Sequence, residues 1–151
     1  MRSTALTLAF LMMAWPVLAA DLLAPDPDLS PAEVVAIQLN ALQTNEAEND
    51  AGIAQTFAFA RPDNKRMTGP LPRFAQMIKG PQYQMLLNHQ SHEVTEILRT
   101  DHEAVFAVTV TTRTGKVVGY RWSVAKVMDG EHAGAWMTIS VSPPVPVGQA
   151  I

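Results

Sequence analysis

The fold is decided by residues 104–127, which read AVFAVTVTTRTGKVVGYRWSVAKV. Apolar and polar side chains alternate on both sides of Thr114-Gly115, a dipeptide that favours a tight turn between strands. The pattern predicts two antiparallel strands, 104–112 and 117–127, joined as a hairpin.

Similar alternation outside the hairpin predicts further extended segments at 83–89, 93–98 and 135–141. Strands that follow one another through short turns indicate an antiparallel meander. The prolines after the last strand cannot donate to a ladder, so we expect residues 144–151 to form a loose tail.

Upstream of Pro81 the apolar period is that of helices. The first predicted helix runs from Ser30, its N-cap, to about Asn45, and the second begins near Asn49 or Asp50. A third follows Pro70 and ends at Gly80, whereas residues 61–69 are aperiodic and predicted to be a polar loop. Three N-terminal helices covering one face of a curved antiparallel β-sheet form an α+β domain.

The first twenty residues have the layout of a cleavable secretory signal peptide. Arg2 precedes an apolar run that ends in Ala19 and Ala20, and cleavage after either alanine is compatible with the pattern. The run is shorter than the roughly 20 apolar residues that a membrane span needs, so no stable span is expected after cleavage. The segment predicts a periplasmic or secreted protein.

We divide the remainder into an extended leader at 21–29, one domain at 30–143 and the tail. Without Arg2, 10 basic residues face 14 acidic ones, a net charge of −4, and nucleic-acid binding is therefore not expected. The absence of cysteine excludes disulfides, thiolate metal sites and cysteine nucleophiles.

Several short strings resemble an uncharacterised bacterial family, domain of unknown function 4864, within the nuclear-transport-factor-2-like or cystatin-like superfamily. The resemblance implies a cone of curved sheet wrapped on helices, and it transfers no mechanism, because the superfamily includes isomerases and lyases as well as non-catalytic binding modules. The strings lie at 34–44, 57–64, 68–71 with Phe74, 119–122, 136–138 and 140–142.

Two amides fall inside the apolar arc of the first helix, where an unpaired amide would cost free energy. We interpret Gln38 and Asn45 as lining a cavity for a small amphipathic ligand, and on this reading Gln38→Leu would raise stability. Three residues of the strands complete this predicted ligand-binding set: Tyr83, Arg121 and Trp122.

The loop and the start of the third helix carry a local positive patch on an acidic protein. It leads into a helix N-terminus, whose free N–H groups favour anions, and the alternative is an ordinary solvated loop. The patch consists of Arg61, Lys65, Arg66 and Arg73.

Metal and cofactor binding are not expected. His89 and His92, placed on one strand at i and i+3, would point to opposite faces. An isomerase or lyase remains an alternative, with Asp50 or His89 as base and Arg121 or Tyr83 as charge stabiliser.

A third alternative is protein interaction through the uncovered face of the sheet. If Trp136 points outward with Thr138, it marks a homodimer interface. The opposite interpretation places both Trp122 and Trp136 in the core. The sequence thus favours a non-catalytic binding or accessory module and leaves the other two classes open.

Overall fold

The computed structural model describes residues 21–147. The predicted signal peptide and the last part of the predicted tail, from residue 148, lie outside the described residues. Within them the chain forms four α-helices, one 3₁₀ helix and a curved, open antiparallel sheet, so the predicted α+β class is confirmed. The helices are α1 (Pro31–Gln43), α2 (Ala51–Ala58), α3 (Pro62–Thr68), α4 (Leu71–Ile78) and the 3₁₀ helix Gln84–Leu86. The strands are β1 (Ser91–Arg99), β2 (Glu103–Thr111), β3 (Val117–Lys126), β4 (Trp136–Val141) and β5 (Val145–Pro146).

α1 begins at the predicted cap. The Ser30 hydroxyl accepts the backbone N–H of Glu33 at 3.2 Å, and the Glu33 carboxylate accepts the N–H of Ser30 at 2.7 Å. This capping box satisfies two of the N–H groups that a helix start leaves free. The apolar face of α1 packs into the main core, where Val34, Leu39 and Leu42 are fully buried and Ile37 is partly buried.

α2 packs closely against α1 through a glycine. A Cβ on Gly52 would overlap the carbonyl oxygen of Ala41, so only glycine fits at this crossing. Asn45 joins the two helices, because its side-chain oxygen accepts the backbone N–H of Ile53 at 3.1 Å. The predicted helix is confirmed, but Asp50 makes no side-chain cap bond, and the Asn49 side chain accepts the N–H of Ala51 at 3.0 Å.

The prediction of a polar loop at 61–69 is wrong, because this segment contains α3. No residue of α3 is buried, so the helix has no apolar period that a sequence pattern can detect. Its signal is Pro62 at the first helical position, where the missing N–H costs nothing. The third predicted helix is therefore α4, the fourth in the chain.

The prediction of a strand at 83–89 is also wrong. This segment forms the 3₁₀ helix and a turn, and its backbone bonds are local or go to α1, as in the bond from the Asn88 N–H to the Leu42 carbonyl at 2.9 Å. Asn88 has φ 54°, a left-handed conformation that interrupts any extended run.

The sheet has the predicted meander order, β1-β2-β3-β4, with each neighbouring pair antiparallel. The prediction that the tail does not pair is wrong at Val145–Pro146, which form β5 beside Val118 and Gly119. β4 pairs with residues 122–126 of β3. The first part of β3 is therefore free on the same side to pair with β5. Proline is tolerated there because an edge strand needs donors on one side only.

A bulge in β4 sets which residues face the helices. Ser140 lies opposite Ser123, and Thr138 lies opposite Val124, so Ile139 is an extra residue. Thr138 and Val141 consequently lie on the same, helix-facing side of the sheet.

Trp136 is buried in the core with 7% of its surface exposed, and Thr138 is buried at 3%. The interpretation of Trp136 as an outward dimer contact is wrong, and the interpretation of Trp122 and Trp136 as core residues is confirmed. The cationic groups of Arg99 and Lys126 lie 5.9 and 5.4 Å from the Trp136 ring centre.

The two edges of the sheet differ. The chain between α2 and α3 pairs with β4, because the Arg61 N–H donates to the Thr138 carbonyl and the Thr138 N–H donates to the Phe59 carbonyl, both at 2.8 Å. At the other edge, β1 pairs only with β2 among the described strands, and its ladder is interrupted between Glu96 and Leu98. Among residues 21–147 no helix has the length and apolar content of a membrane span.

Candidate ligand-binding site

A partly open cavity of about 290 Å³ lies between the helices and the β3–β4 part of the sheet. α1, α2, β3 and β4 form its base, α4 and the 3₁₀ helix form one wall, and α3 borders its mouth. The lining is mostly apolar. The lining residues are Gln38, Leu42, Thr56, Ala60, Asp63, Asn64, Met67, Thr68, Phe74, Met77, Ile78, Tyr83, Leu86, Trp122, Thr138, Ile139, Ser140 and Val141.

Gln38 forms the polar base of the cavity and is 1% exposed. Its amide oxygen accepts the indole N–H of Trp122 at 2.9 Å and the hydroxyl of Thr138. Its amide nitrogen donates to the Thr56 carbonyl at 3.0 Å. The amide is therefore paired, and the premise that Gln38 is an unsatisfied group whose replacement by Leu would raise stability is wrong.

Asn45 does not line the cavity. It is 7% exposed at the α1–α2 junction, and its amide nitrogen donates to the Asp50 carboxylate at 3.3 Å. Together with the bond to Ile53, this contact assigns Asn45 a role in joining α1 to α2. The shared apolar arc placed Gln38 and Asn45 together, but Asn45 lies beyond the end of α1 at Gln43, where the chain turns.

Tyr83 and Trp122 do line the cavity, as predicted for a shared site. The Tyr83 hydroxyl donates to the Val141 carbonyl at 2.9 Å, and its ring stacks on Tyr120 with centroids 6.3 Å apart. Burial raises the pKa of Tyr83, and burial together with Tyr83 raises the pKa of Tyr120 to about 12. Both phenols are therefore neutral hydrogen-bond donors at physiological pH.

Arg121 is on the other side of the sheet. It alternates with Tyr120 and Trp122 along β3, is exposed, and is absent from the cavity lining. The structure therefore does not bring Arg121 together with Gln38, Tyr83 and Trp122. The alternation identified the two faces correctly but could not tell which one meets the helices.

The mouth of the cavity is polar and carries a carboxylate. The Asp63 side chain accepts the Arg61 guanidinium N–H at 3.0 Å, and Asn64 donates from its side chain to the Thr138 carbonyl at 3.2 Å. The contact of Asn64 holds α3 against the edge of β4, whereas the Arg61–Asp63 pair is local to the start of α3. Met67, also at the mouth, is 78% exposed.

None of the four residues of the predicted anion patch lines the cavity. Arg61 is paired with Asp63, and the Lys65 ammonium donates to the Ala58 carbonyl at 3.3 Å, 5.4 Å from the centre of the Phe57 ring. Burial lowers the pKa of Lys65. Arg66 and Arg73 are exposed.

The start of α4 also lacks the N–H groups that an anion would need. Pro70 and Pro72 have none, and the N–H of Arg73 donates to the Pro70 carbonyl at 2.9 Å. The prediction of a helix N-terminus rich in free donors is wrong for this reason.

His89 and His92 are in contact, contrary to the prediction that they face opposite ways. His89 precedes β1, so the strand alternation does not apply to it, and its Nε2 lies 2.7 Å from Nδ1 of His92. The Leu86 carbonyl, 2.7 Å from Nδ1 of His89, accepts a hydrogen bond from that nitrogen. His89 Nε2 is then the acceptor and His92 Nδ1–H the donor.

Burial lowers the pKa of both imidazoles, and the neighbouring His89 lowers the pKa of His92 further. Neither ring lines the cavity. Among residues 21–147 no three His, Asp or Glu side chains gather closely enough to hold a metal ion.

The groups proposed for catalysis do not meet. Asp50 binds the Lys79 ammonium at 2.6 Å outside the cavity, and this contact lowers the pKa of Asp50. Of Asp50, His89, Tyr83 and Arg121, only Tyr83 lines the cavity. The described part of the lining thus offers hydrogen-bonding groups and apolar surface, with Asp63 as its one ionisable carboxylate.

A family model described as Domain of unknown function (DUF4864) matches residues 27–142. The chain belongs to this family. No curated protein matches the DUF4864 chain. No solved structure matches it either. The placement in the nuclear-transport-factor-2-like superfamily stays a prediction.

Several residues of the DUF4864 cavity were not predicted. Thr138 is 100 residues from Gln38 in the chain, and Thr56 is 18 residues from it. No local pattern joins such positions. The alternation of side chains in β4 predicts that Thr138 and Met137 point to opposite faces of the sheet. It does not indicate which of the two faces is covered by α1.

Proposed function

We propose that this DUF4864 protein is an exported, non-catalytic module that retains a small amphipathic ligand in the cavity between α1, α4 and β4. The observation that carries the proposal is the lining itself, an apolar chamber with one buried, hydrogen-bonded amide, Gln38, at its base. Ligand sites are typically apolar and contain a few fixed polar groups that orient the ligand. Export rests on the signal-like pattern of the first twenty residues.

The absence of an assembled acid–base pair in the described lining favours retention over catalysis. Tyr83 has a raised pKa and already donates to a backbone carbonyl, so it is not poised to transfer a proton. Asp63 is held by Arg61 at the mouth. A binding role requires only the shape and the hydrogen-bonding groups.

Native mass spectrometry of the gently purified protein tests this proposal. We expect a reproducible extra mass in the wild type, and its loss in Met77→Trp, because a larger side chain at this lining position fills the cavity. Gln76→Trp is the matched control, because Gln76 is adjacent on α4 and exposed. An extra mass that survives in Met77→Trp would contradict the assignment of the ligand to this cavity.

The same spectra report the oligomeric state. A homodimer through the sheet face remains our proposal for the quaternary structure, and Leu98 of β1, which is exposed and paired with Val105 on the outer side of the sheet, favours contact there, with the exposed Ile97 beside it. A monomer at micromolar concentration would contradict it.

A further inference from the structure

The base of the cavity offers a ligand a hydrogen-bond donor from Gln38 and an acceptor from Thr138. Gln38 uses both lone pairs of its amide oxygen on Trp122 and Thr138, and one of its two amide hydrogens on the Thr56 carbonyl. Within residues 21–147 the second amide hydrogen has no partner. A ligand atom at the base can therefore accept a hydrogen bond from Gln38.

The acceptor that lies beside Gln38 at the base is the hydroxyl oxygen of Thr138. It donates its single hydrogen to Gln38 and receives only a long contact from the Trp122 indole nitrogen, at 3.3 Å. A hydroxyl oxygen has two lone pairs, so one is left to accept from a ligand. A ligand group that accepts a hydrogen bond from Gln38 and donates one to Thr138 through the same atom matches these two residues. A hydroxyl is the smallest such group.

The charges of the site disfavour ionised ligands. Among the described residues Asp63 is the sole charged group of the lining, and it lies at the mouth. A carboxylate or phosphate inside would lose its hydration without meeting a cation, at a cost that hydrogen bonds alone do not offset. An ammonium at the base would face the amide N–H of Gln38, which is a donor.

The volume limits the ligand. A water molecule occupies about 30 Å³ in the liquid, so the cavity of about 290 Å³ has room for about ten non-hydrogen atoms. The walls next to the base are hydrocarbon, from Phe74, Ile78 and Leu86.

We propose that the cavity takes an uncharged alcohol of about ten non-hydrogen atoms, with its hydroxyl between Gln38 and Thr138 and its hydrocarbon part along the walls toward Met67. This inference rests on the proposed function, since it names the class of ligand for the same cavity. It excludes anionic amphiphiles, which the basic residues near α3 would otherwise suggest.

A matched probe series tests the ligand class. 1-Octanol, octanoate and octylamine share a chain length and differ in the charge of the head group. We would titrate each into the full-length, ¹⁵N-labelled protein and follow the indole Nε1–H signal of Trp122, which binds Gln38 at the base. We expect 1-octanol to shift this signal and to bind about ten-fold or more tightly than either charged probe.

A variant tests the orientation. Thr138→Val removes the acceptor and should weaken 1-octanol binding about ten-fold, the value of one buried hydrogen bond. Thr109→Val, a half-buried change on the outer side of β2, is the control and should leave it unchanged. If Thr138→Val does not fold, the probe series on the wild type still decides the ligand class.

The outcomes separate this inference from the proposed function. Octanoate or octylamine binding as tightly as 1-octanol would overturn the ligand class, and unchanged 1-octanol binding in Thr138→Val would overturn the orientation. If purified protein carries a ligand in the mass spectra but 1-octanol does not bind, the inference fails and the proposed function stands. If no ligand is retained and no probe binds, both fail.

Discussion

Replacing Gln38 with leucine should destabilise the protein by about 2 kcal/mol, although it puts an apolar side chain into an apolar site. The substitution removes three hydrogen bonds, to Trp122, Thr138 and Thr56. The Thr56 carbonyl keeps a bond from the Phe59 N–H at 3.2 Å, so it is not left unpaired. The Trp122 indole N–H retains Thr138 as its acceptor at 3.3 Å.

The Thr138 hydroxyl hydrogen then has no described acceptor. One buried unpaired polar group costs about 1–3 kcal/mol and the loss of the other hydrogen bonds adds about 1 kcal/mol, whereas the added apolar contacts of leucine offset a part of this penalty. The net effect is therefore about 2 kcal/mol. Urea unfolding monitored by circular dichroism measures it as a lower midpoint at an unchanged slope.

Gln43→Leu is the matched control for this experiment. Gln43 is on the same helix, half-buried, and makes a single exposed bond to the Gln90 carbonyl at 2.9 Å. Its replacement should change the free energy of unfolding by about 0.5 kcal/mol or less. A double-mutant cycle of Gln38→Leu with Thr138→Val should give a coupling of about 1 kcal/mol. If Gln38→Leu is as stable as the wild type, the hydrogen-bond account of the cavity base is refuted.

Three further predictions concern acid, the α1–α2 crossing and the outer face of the sheet. Lowering the pH from about 7.5 to about 5.5 should lower the urea midpoint. Burial holds the pKa values of His89 and His92 in the folded protein below 6.5, so over this range the unfolded chain binds more protons than the folded protein does. The stability contributed by the two neutral histidines is present above about pH 6.5 and is lost as the pH falls below it. His92→Gln should show a smaller decrease of the urea midpoint, and a wild-type midpoint that does not depend on pH would contradict the prediction. Gly52→Ala should cost about 3 kcal/mol in the same assay, against about 1 kcal/mol for Gly115→Ala at an open turn with φ 85°, and equal costs would argue against a close crossing. Arg121→Ala should leave ligand retention unchanged in native mass spectra, whereas loss of the ligand would restore the original prediction for this residue.

The sheet could be predicted well because its strands carry their own periodicity. β2 and β3 alternate in the chain as they do in the structure, and Thr114-Gly115 marks the turn between them. α3 could not be found in this way, because a helix that buries none of its side chains leaves no apolar stripe. The error at 83–89 has a similar cause, since short apolar runs fit turns, 3₁₀ helices and strands equally.

The candidate site was predicted in part. Gln38 is conspicuous as an amide within the apolar arc of α1, and the structure places it in the cavity with Trp122 and Tyr83. Its partner Thr138 could not be predicted, because the two residues are 100 positions apart and a shift of one residue exchanges the two sides of a strand. Local sequence patterns do not contain the information that aligns a strand with a helix far away in the chain.

The segment that borders the cavity mouth also shields an edge of the sheet. The backbone of Thr138 bonds to Phe59 and Arg61, and its carbonyl accepts the Asn64 side chain as well. An outward movement of α3 that carries the preceding segment 59–61 with it, to admit a bulkier molecule, would therefore uncover β4 and expose unpaired strand groups, which favour aggregation. Under the proposed function, solubility and the size of the ligand would thereby be coupled through one residue, Thr138, whose backbone protects the edge while its side chain lies at the base of the cavity.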